Sequence, residues 1–183
     1  MLEGTLVNLR AQELDDLQRN MRWLNDRRVT RTLAMRYYVT LLAEEAWMRE
    51  RTARPLSWEN AVFAIETKEG EHIGNAGLHG KGIEDRVAEL GIMIGETSYW
   101  NRGYGTDAIR TLLRFGFEEM NLNRIFLHAY DFNAGGLAAY RKCGFVEEGR
   151  MREAHWGEGA YHDIIIMSVL RDEYVPSRAE RAG

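Results

Sequence analysis

Between Val87 and Met120 the chain passes from a period-two strand, through a glycine-bearing loop, into a long amphipathic helix. The loop reads Arg102-Gly103-Tyr104-Gly105-Thr106. The helix that follows, about Gly105–Met120, sets Ile109, Leu112, Leu113, Gly116, Phe117 and Met120 along one face. Glycine lets a backbone turn tightly and approach a ligand closely. A helix start adds free N–H groups and the positive end of the helix dipole, which together suit a phosphate. Arg102 can add a charge-assisted contact.

This loop does not decide function by itself, because a Gly-x-Gly pair also serves close packing at a helix start. The string Gly103-Tyr104-Gly105-Thr106-Asp107-Ala108 matches the dinucleotide fingerprint G-x-G-x-x-A. That reading needs the first glycine almost directly after a strand and an acidic residue closing a second strand about twenty residues on. Here several residues separate Ile94 from Gly103, and Asn121–Arg124 reads as a loop. A P-loop is excluded, since no Gly-Lys-Ser/Thr follows.

The flanking elements narrow the fold. Thr5–Arg10 alternates as a strand, and Leu14, Leu17, Met21 and Leu24 recur at three- and four-residue steps, as in an amphipathic helix. Arg27 to Thr40 has no clean period. A second helix covers roughly Leu41–Ala53 and ends before Pro55. Asn60–Thr67 and Ile73–His79 form a hairpin about the turn Lys68-Glu69-Gly70-Glu71, and Val87–Ile94 is a third strand of that run. After the long helix come a strand at Arg124–Tyr130, a short helix at Gly135–Cys143 with Gly144 as its C′ residue, and strands near Val146–Ala154 and Tyr161–Leu170. The pattern β-αα-βββ-α-β-α-ββ mixes hairpins with parallel crossovers, so it predicts a mixed α+β sheet and not a doubly wound one.

Composition limits the partners. Of 183 residues, 45% are apolar and 28% charged, the profile of one globular domain with a full core. A net charge of −4 argues against nucleic acid or an anionic membrane as a partner by bulk charge. It favours cationic acceptors over neutral ones. Cys143 is the single cysteine, so no intramolecular disulfide forms. There is no basic segment leading into an apolar run, and no apolar stretch approaches a membrane span. The expected setting is cytoplasmic. The residues after Tyr174, from Pro176 to Gly183, read as a frayed end.

A second element lies beyond the next strand: Asn133-Ala134-Gly135-Gly136-Leu137-Ala138-Ala139-Tyr140-Arg141-Lys142-Cys143-Gly144-Phe145. It resembles the pattern N-x-x-S-x-x-x-Y-x-K-x-G-F of the GNAT superfamily of N-acetyltransferases. The segment Tyr99-Trp100-Asn101-Arg102-Gly103-Tyr104-Gly105-Thr106 resembles that superfamily's acetyl-CoA loop, Q/R-x-x-G-x-G/A. Both stand in the right order, with one helix and one strand between them. The resemblance spans nearly the whole chain, and Leu6-Val7-Asn8-Leu9-Arg10 with the second half looks most like the ribosomal-protein alanine N-acetyltransferases and spermidine N-acetyltransferases. Two positions depart: Trp100 stands where Gln or Arg is usual, and Gly136 where Ser is usual.

The resemblance implies a single GNAT domain over residues 1–175: a mixed, largely antiparallel sheet of about seven strands flanked by about four helices, with splayed central parallel strands. It implies acetyl-CoA as co-substrate and transfer of acetyl to a primary amine by direct attack. The splayed strands would be Val87–Ile94 and Arg124–Tyr130. Backbone groups near Met93 and Ile94 would hold the pantetheine arm. The N–H groups of Arg102, Gly103, Tyr104, Gly105 and Thr106 would hold the pyrophosphate, and Asn133 would bond the pantetheine while also serving as an N-cap. Tyr140 matches the family tyrosine that protonates the departing thiolate, and a phenol of pKa about 10 suits that role. Glu89 lies within a residue or so of an acidic residue that some members use to take the amine's proton; a solvated strand carboxylate is the even alternative. His128, a lone strand histidine, reads as structural. Trp23 reads as core, whereas Tyr37 and Tyr38 fall in the loop that forms the acceptor side in this family.

The five histidines show no metal-ligand spacing, so no metal is expected. The expected partner is a small-molecule amine or a protein N-terminus, with no nucleic acid and no membrane; a homodimer is left open. Two other classes stay in view: a non-catalytic acyl-CoA-binding or sensing module, and a nucleotide-binding oxidoreductase, which the element order disfavours.

Overall fold

The computed structural model describes residues 1–175. The tail expected to fray, Pro176–Gly183, lies outside the described residues. Eight strands form one sheet among the described residues: β1 (Leu2–Glu3), β2 (Val7–Ala11), β3 (Ala61–Thr67), β4 (His72–Gly82), β5 (Val87–Ile94), β6 (Arg124–Tyr130), β7 (Val146–Gly157) and β8 (Ala160–Leu170). Their order is β1-β2-β3-β4-β5-β6-β8-β7. The helices are α1 (Leu17–Leu24), α2 (Arg27–Thr30), α3 (Leu41–Thr52), α4 (Tyr104–Arg114) and α5 (Ala134–Lys142). A π-helical turn, Phe115–Glu119, extends α4.

The expected mixed α+β architecture is present, with one strand and one helix beyond the expected number. Both additions are too short to carry a period. β1 is a two-residue strand against β2. The helix α2 is a single turn, started by Asp26, whose carboxylate accepts the Arg28 N–H at 2.9 Å.

Neighbouring strands are antiparallel except β5 and β6, which α4 connects by a crossover. That parallel pair is short. Val87, Ala88 and Glu89 oppose Arg124, Ile125 and Phe126, and the ladder then stops. Beyond it, Leu90–Ile94 and Leu127–Tyr130 run on without pairing each other, so the middle of the sheet is open at its upper end.

The core lies on one face, where α4 packs over β2, β4 and β5, with α5 beside it. Ile109, Leu112, Leu113 and Phe117 bury themselves against Val7, Leu9, Leu78, Ala88, Ile125 and Met167. The π-turn comes close to the sheet because of Gly116: a Cβ there would stand 2.7 Å from Ile125 Cδ1 and 3.0 Å from Leu78 Cδ1. The other face carries α1 and α3. Trp23 is buried against His72, ring centroids 4.8 Å apart, and Asn75 donates to Asn20 at 2.9 Å. Below them Asp16 receives a bidentate pair from Arg10 at 2.7 and 2.9 Å, tying α1 to β2. Among the described residues, no helix is long and apolar enough to cross a membrane.

Candidate active site

The open end of the sheet faces the start of α4. Gly103 caps this helix with φ of +90°, a conformation that suits glycine. The first bond of the helix runs from Asp107 N–H to the Gly103 carbonyl at 2.9 Å. The N–H groups of Tyr104, Gly105 and Thr106 therefore point out of the helix end. Gly105 is helical, and a Cβ there would meet only Ile94 Cγ1, at 3.6 Å, an ordinary contact. Neither conformation nor internal packing demands glycine at 105.

The flanks of this cradle are braced. Asp107 accepts from the N–H groups of Leu6 and Val7, at 2.7 and 3.0 Å, which pins β2 beside the helix start. Arg102 donates to the Ser98 carbonyl at 3.3 Å, and its guanidinium lies 5.5 Å from the Tyr99 ring and 5.8 Å from the Tyr104 ring. Cys143, the residue that caps the end of α5, donates its thiol to the Thr106 carbonyl at 3.5 Å, joining the two helices.

The backbone of β5 alternates. The Gly95 N–H bonds the Ile73 carbonyl of β4 at 2.8 Å, and the Met93 carbonyl also faces β4, where a Cβ on Gly74 would lie 2.1 Å from it. Ile94 faces the gap instead. Its carbonyl is taken by the Trp100 indole N–H at 2.8 Å, so the residue standing where Gln or Arg is usual ties the cradle to the strand.

Asn133 caps α5, its side-chain oxygen accepting the Gly136 N–H at 3.0 Å. Its amide nitrogen donates to no described residue. Gly136 fits this arrangement, because a Cβ there would lie 2.5 Å from that nitrogen. Two turns on, Tyr140 is 8% exposed, in the core cluster with Phe145. Its hydroxyl makes no hydrogen bond to a described residue. Burial, helped by nearby Cys143, pushes its pKa up to about 12, so the phenol keeps its proton at any physiological pH.

Glu89 lies on the opposite face, since Ala88 and Leu90 point into the core and the side chain between them points away. Register places Phe126, His128 and Tyr130 on that same face across the gap. Glu89 accepts from Lys81 Nζ at 2.8 Å and lies 2.9 Å from His128 Nδ1. Burial alone would raise the Glu89 pKa; hydrogen bonds from Lys81 and then from His128 outweigh it and hold the carboxyl below its ordinary value. A carboxylate so held is a weak base and a firm anchor for the imidazole. His128, read from sequence as a lone structural histidine, is brought to Glu89 by the register between β5 and β6.

The loop from α2 to α3 closes over the end of β6. The Tyr130 hydroxyl donates to the Leu33 carbonyl at 3.4 Å, and the Tyr130 ring stacks on His155 at 3.9 Å. Tyr37 and Tyr38 stand out from this loop, 85% and 73% exposed. Among the described residues, no cluster of His, Cys, Asp and Glu forms a metal-binding group.

Residues 5–146 match the family described as the acetyltransferase (GNAT) domain. The chain belongs to the GNAT acetyltransferase family. This GNAT N-acetyltransferase is 26% identical over 169 residues to the uncharacterized N-acetyltransferase p20 of Bacillus licheniformis, covering 92% of this chain and 94% of that one. It is 31% identical to the spermidine N(1)-acetyltransferase of Vibrio cholerae over 62% of this chain and 65% of that one. A solved structure of the Vibrio cholerae spermidine N-acetyltransferase in complex with CoA and spermine superposes with a TM-score of 0.82 at 27% identity, covering 92% of this chain and 98% of that one.

Proposed function

We propose that this GNAT enzyme transfers acetyl from acetyl-CoA to a primary amine by direct attack, with proton transfer divided between the two faces of the open sheet. One observation carries this reading: Tyr140 comes from the helix-covered face, and the Glu89–His128 pair stands on the other. Acetyl-CoA supplies an acyl thioester. The N–H groups of Tyr104, Gly105 and Thr106 suit its pyrophosphate, with Arg102 and the helix dipole adding positive potential. The gap-facing backbone of Ile94 and the spare amide of Asn133 suit the pantetheine arm.

An amine entering from the Glu89 face meets a proton acceptor before it reaches the gap. Glu89 accepts from His128 Nδ1, which leaves Nε2 free to take the amine's proton. The C–N bond then forms as the C–S bond breaks, Tyr140 gives its proton to the leaving sulfur, and the surplus proton left on the nitrogen passes to the tyrosinate so formed, which leaves a neutral amide and a thiol. A proton donor matters most where charge develops in a partly desolvated site.

Thiol release with acetyl-CoA and a panel of amines tests this. Release of CoA in step with loss of free amine supports the proposal. Tight CoA binding without thiol release for any amine makes the chain a binding module instead.

A further inference from the structure

The loop after α2 and the hairpin of β7 and β8 enclose a cavity of about 220 Å³. Its lining brings Arg27, Arg31 and Arg36 together with one carboxylate, Glu158. Arg31 holds Glu158 at 2.9 Å, so that charge is already answered. Arg27 and Arg36 make no ion pair with any described residue. Phe132 forms an apolar wall, with the Arg31 guanidinium 5.8 Å above its ring. The cavity borders the reaction gap: His155, in its wall, stacks at 3.9 Å on Tyr130, the last residue of β6 on the Glu89 face.

Two unanswered guanidiniums in a small concavity create a positive potential, whatever the sign of the net charge. A polycation entering there loses water and meets repulsion; an anion gains charge-assisted, bidentate bonds. We infer that this cavity receives an anionic group of the acceptor, so that the substrate is a primary amine also bearing a carboxylate or phosphate. The inference rests on the proposed amine acetylation and narrows its acceptor. The net charge of −4 favours cationic acceptors; the local lining has the opposite sign and is what an acceptor touches.

The test compares four acceptors in the thiol-release assay: the dipeptide Ala-Glu, its uncharged counterpart Ala-Gln amide, phosphoethanolamine and spermidine. Ala-Glu or phosphoethanolamine is expected to give the highest kcat/KM, falling as salt is added; whichever leads identifies the anion. Arg36→Gln should raise KM for that acceptor by about tenfold or more, the scale of one charged hydrogen bond. Its kcat and its KM for acetyl-CoA should stay near the parent values, as for an interaction made equally before and during reaction. Arg27→Gln, tested separately, should act in the same direction. Spermidine or Ala-Gln amide turned over best, with Arg36→Gln unchanged, overturns the inference and leaves amine acetylation standing. No thiol release with any amine, while calorimetry shows CoA bound, overturns both.

Discussion

Glu89 Oε1 lies 2.9 Å from Nδ1 of His128, and the two residues come from the strands that part just beyond the Glu89–Phe126 rung. The pair stands at the closed end of the gap, where the last rung joins Glu89 to Phe126. Glu89→Gln keeps the side-chain size and removes the charge that orients the imidazole. We expect kcat to fall about 10²-fold, within the usual range for one positioned acid or base, with KM for acetyl-CoA nearly unchanged. Steady-state kinetics with a saturating amine check this. A kcat within about threefold of the parent would remove the pair from the mechanism.

Gly105 is free to accept a side chain as far as the chain's own packing is concerned, since a Cβ there would stand 3.6 Å from Ile94 Cγ1. Gly105→Glu should therefore fold while placing a negative charge at the helix start. CoA affinity is expected to drop by more than about tenfold, equivalent to roughly 1.4 kcal/mol. Calorimetry with CoA measures it; unchanged affinity in a folded variant places the pyrophosphate elsewhere.

Tyr140→Phe deletes one oxygen that bonds no described residue, so the melting temperature should move little. The expected fall in kcat is about 10²- to 10⁴-fold at nearly constant KM for acetyl-CoA, the mark of an interaction made in the transition state. Nearly full activity with reduced thermal stability is the opposite outcome and assigns the ring a packing role alone.

Asp16 makes fold stability sensitive to acid. Burial alone would raise its pKa; the bidentate Arg10 and then His72 outweigh that and hold it well below the ordinary value of 3.8. A depressed folded pKa contributes stability that is complete above the unfolded value and is lost as pH falls toward the folded one. The melting temperature should thus hold steady above pH 3.8 and decline below it. Asp16→Asn should start from a lower melting temperature and lose part of that acid dependence. An identical acid profile in the variant would falsify the assignment.

Sequence alone determined the elements with strong local signatures. Alternating strands, the apolar face of α4 and the glycine of positive φ at 103 are set by period and by backbone sterics, both visible in a single chain. The spacing of Asn133, Tyr140 and Gly144 belongs to one helix and its caps, and so was equally legible. What tertiary structure decided was register and sign. Whether Glu89 meets His128, whether the Met93 carbonyl faces β4 or the gap, and how Trp100 finds the Ile94 carbonyl depend on pairings between strands and loops far apart in sequence. A one-residue slip would move each side chain to the opposite face, and no local pattern encodes that choice. The same holds for the arginines at 27, 31 and 36: they occupy a stretch without a period, and only folding gathers them around one cavity.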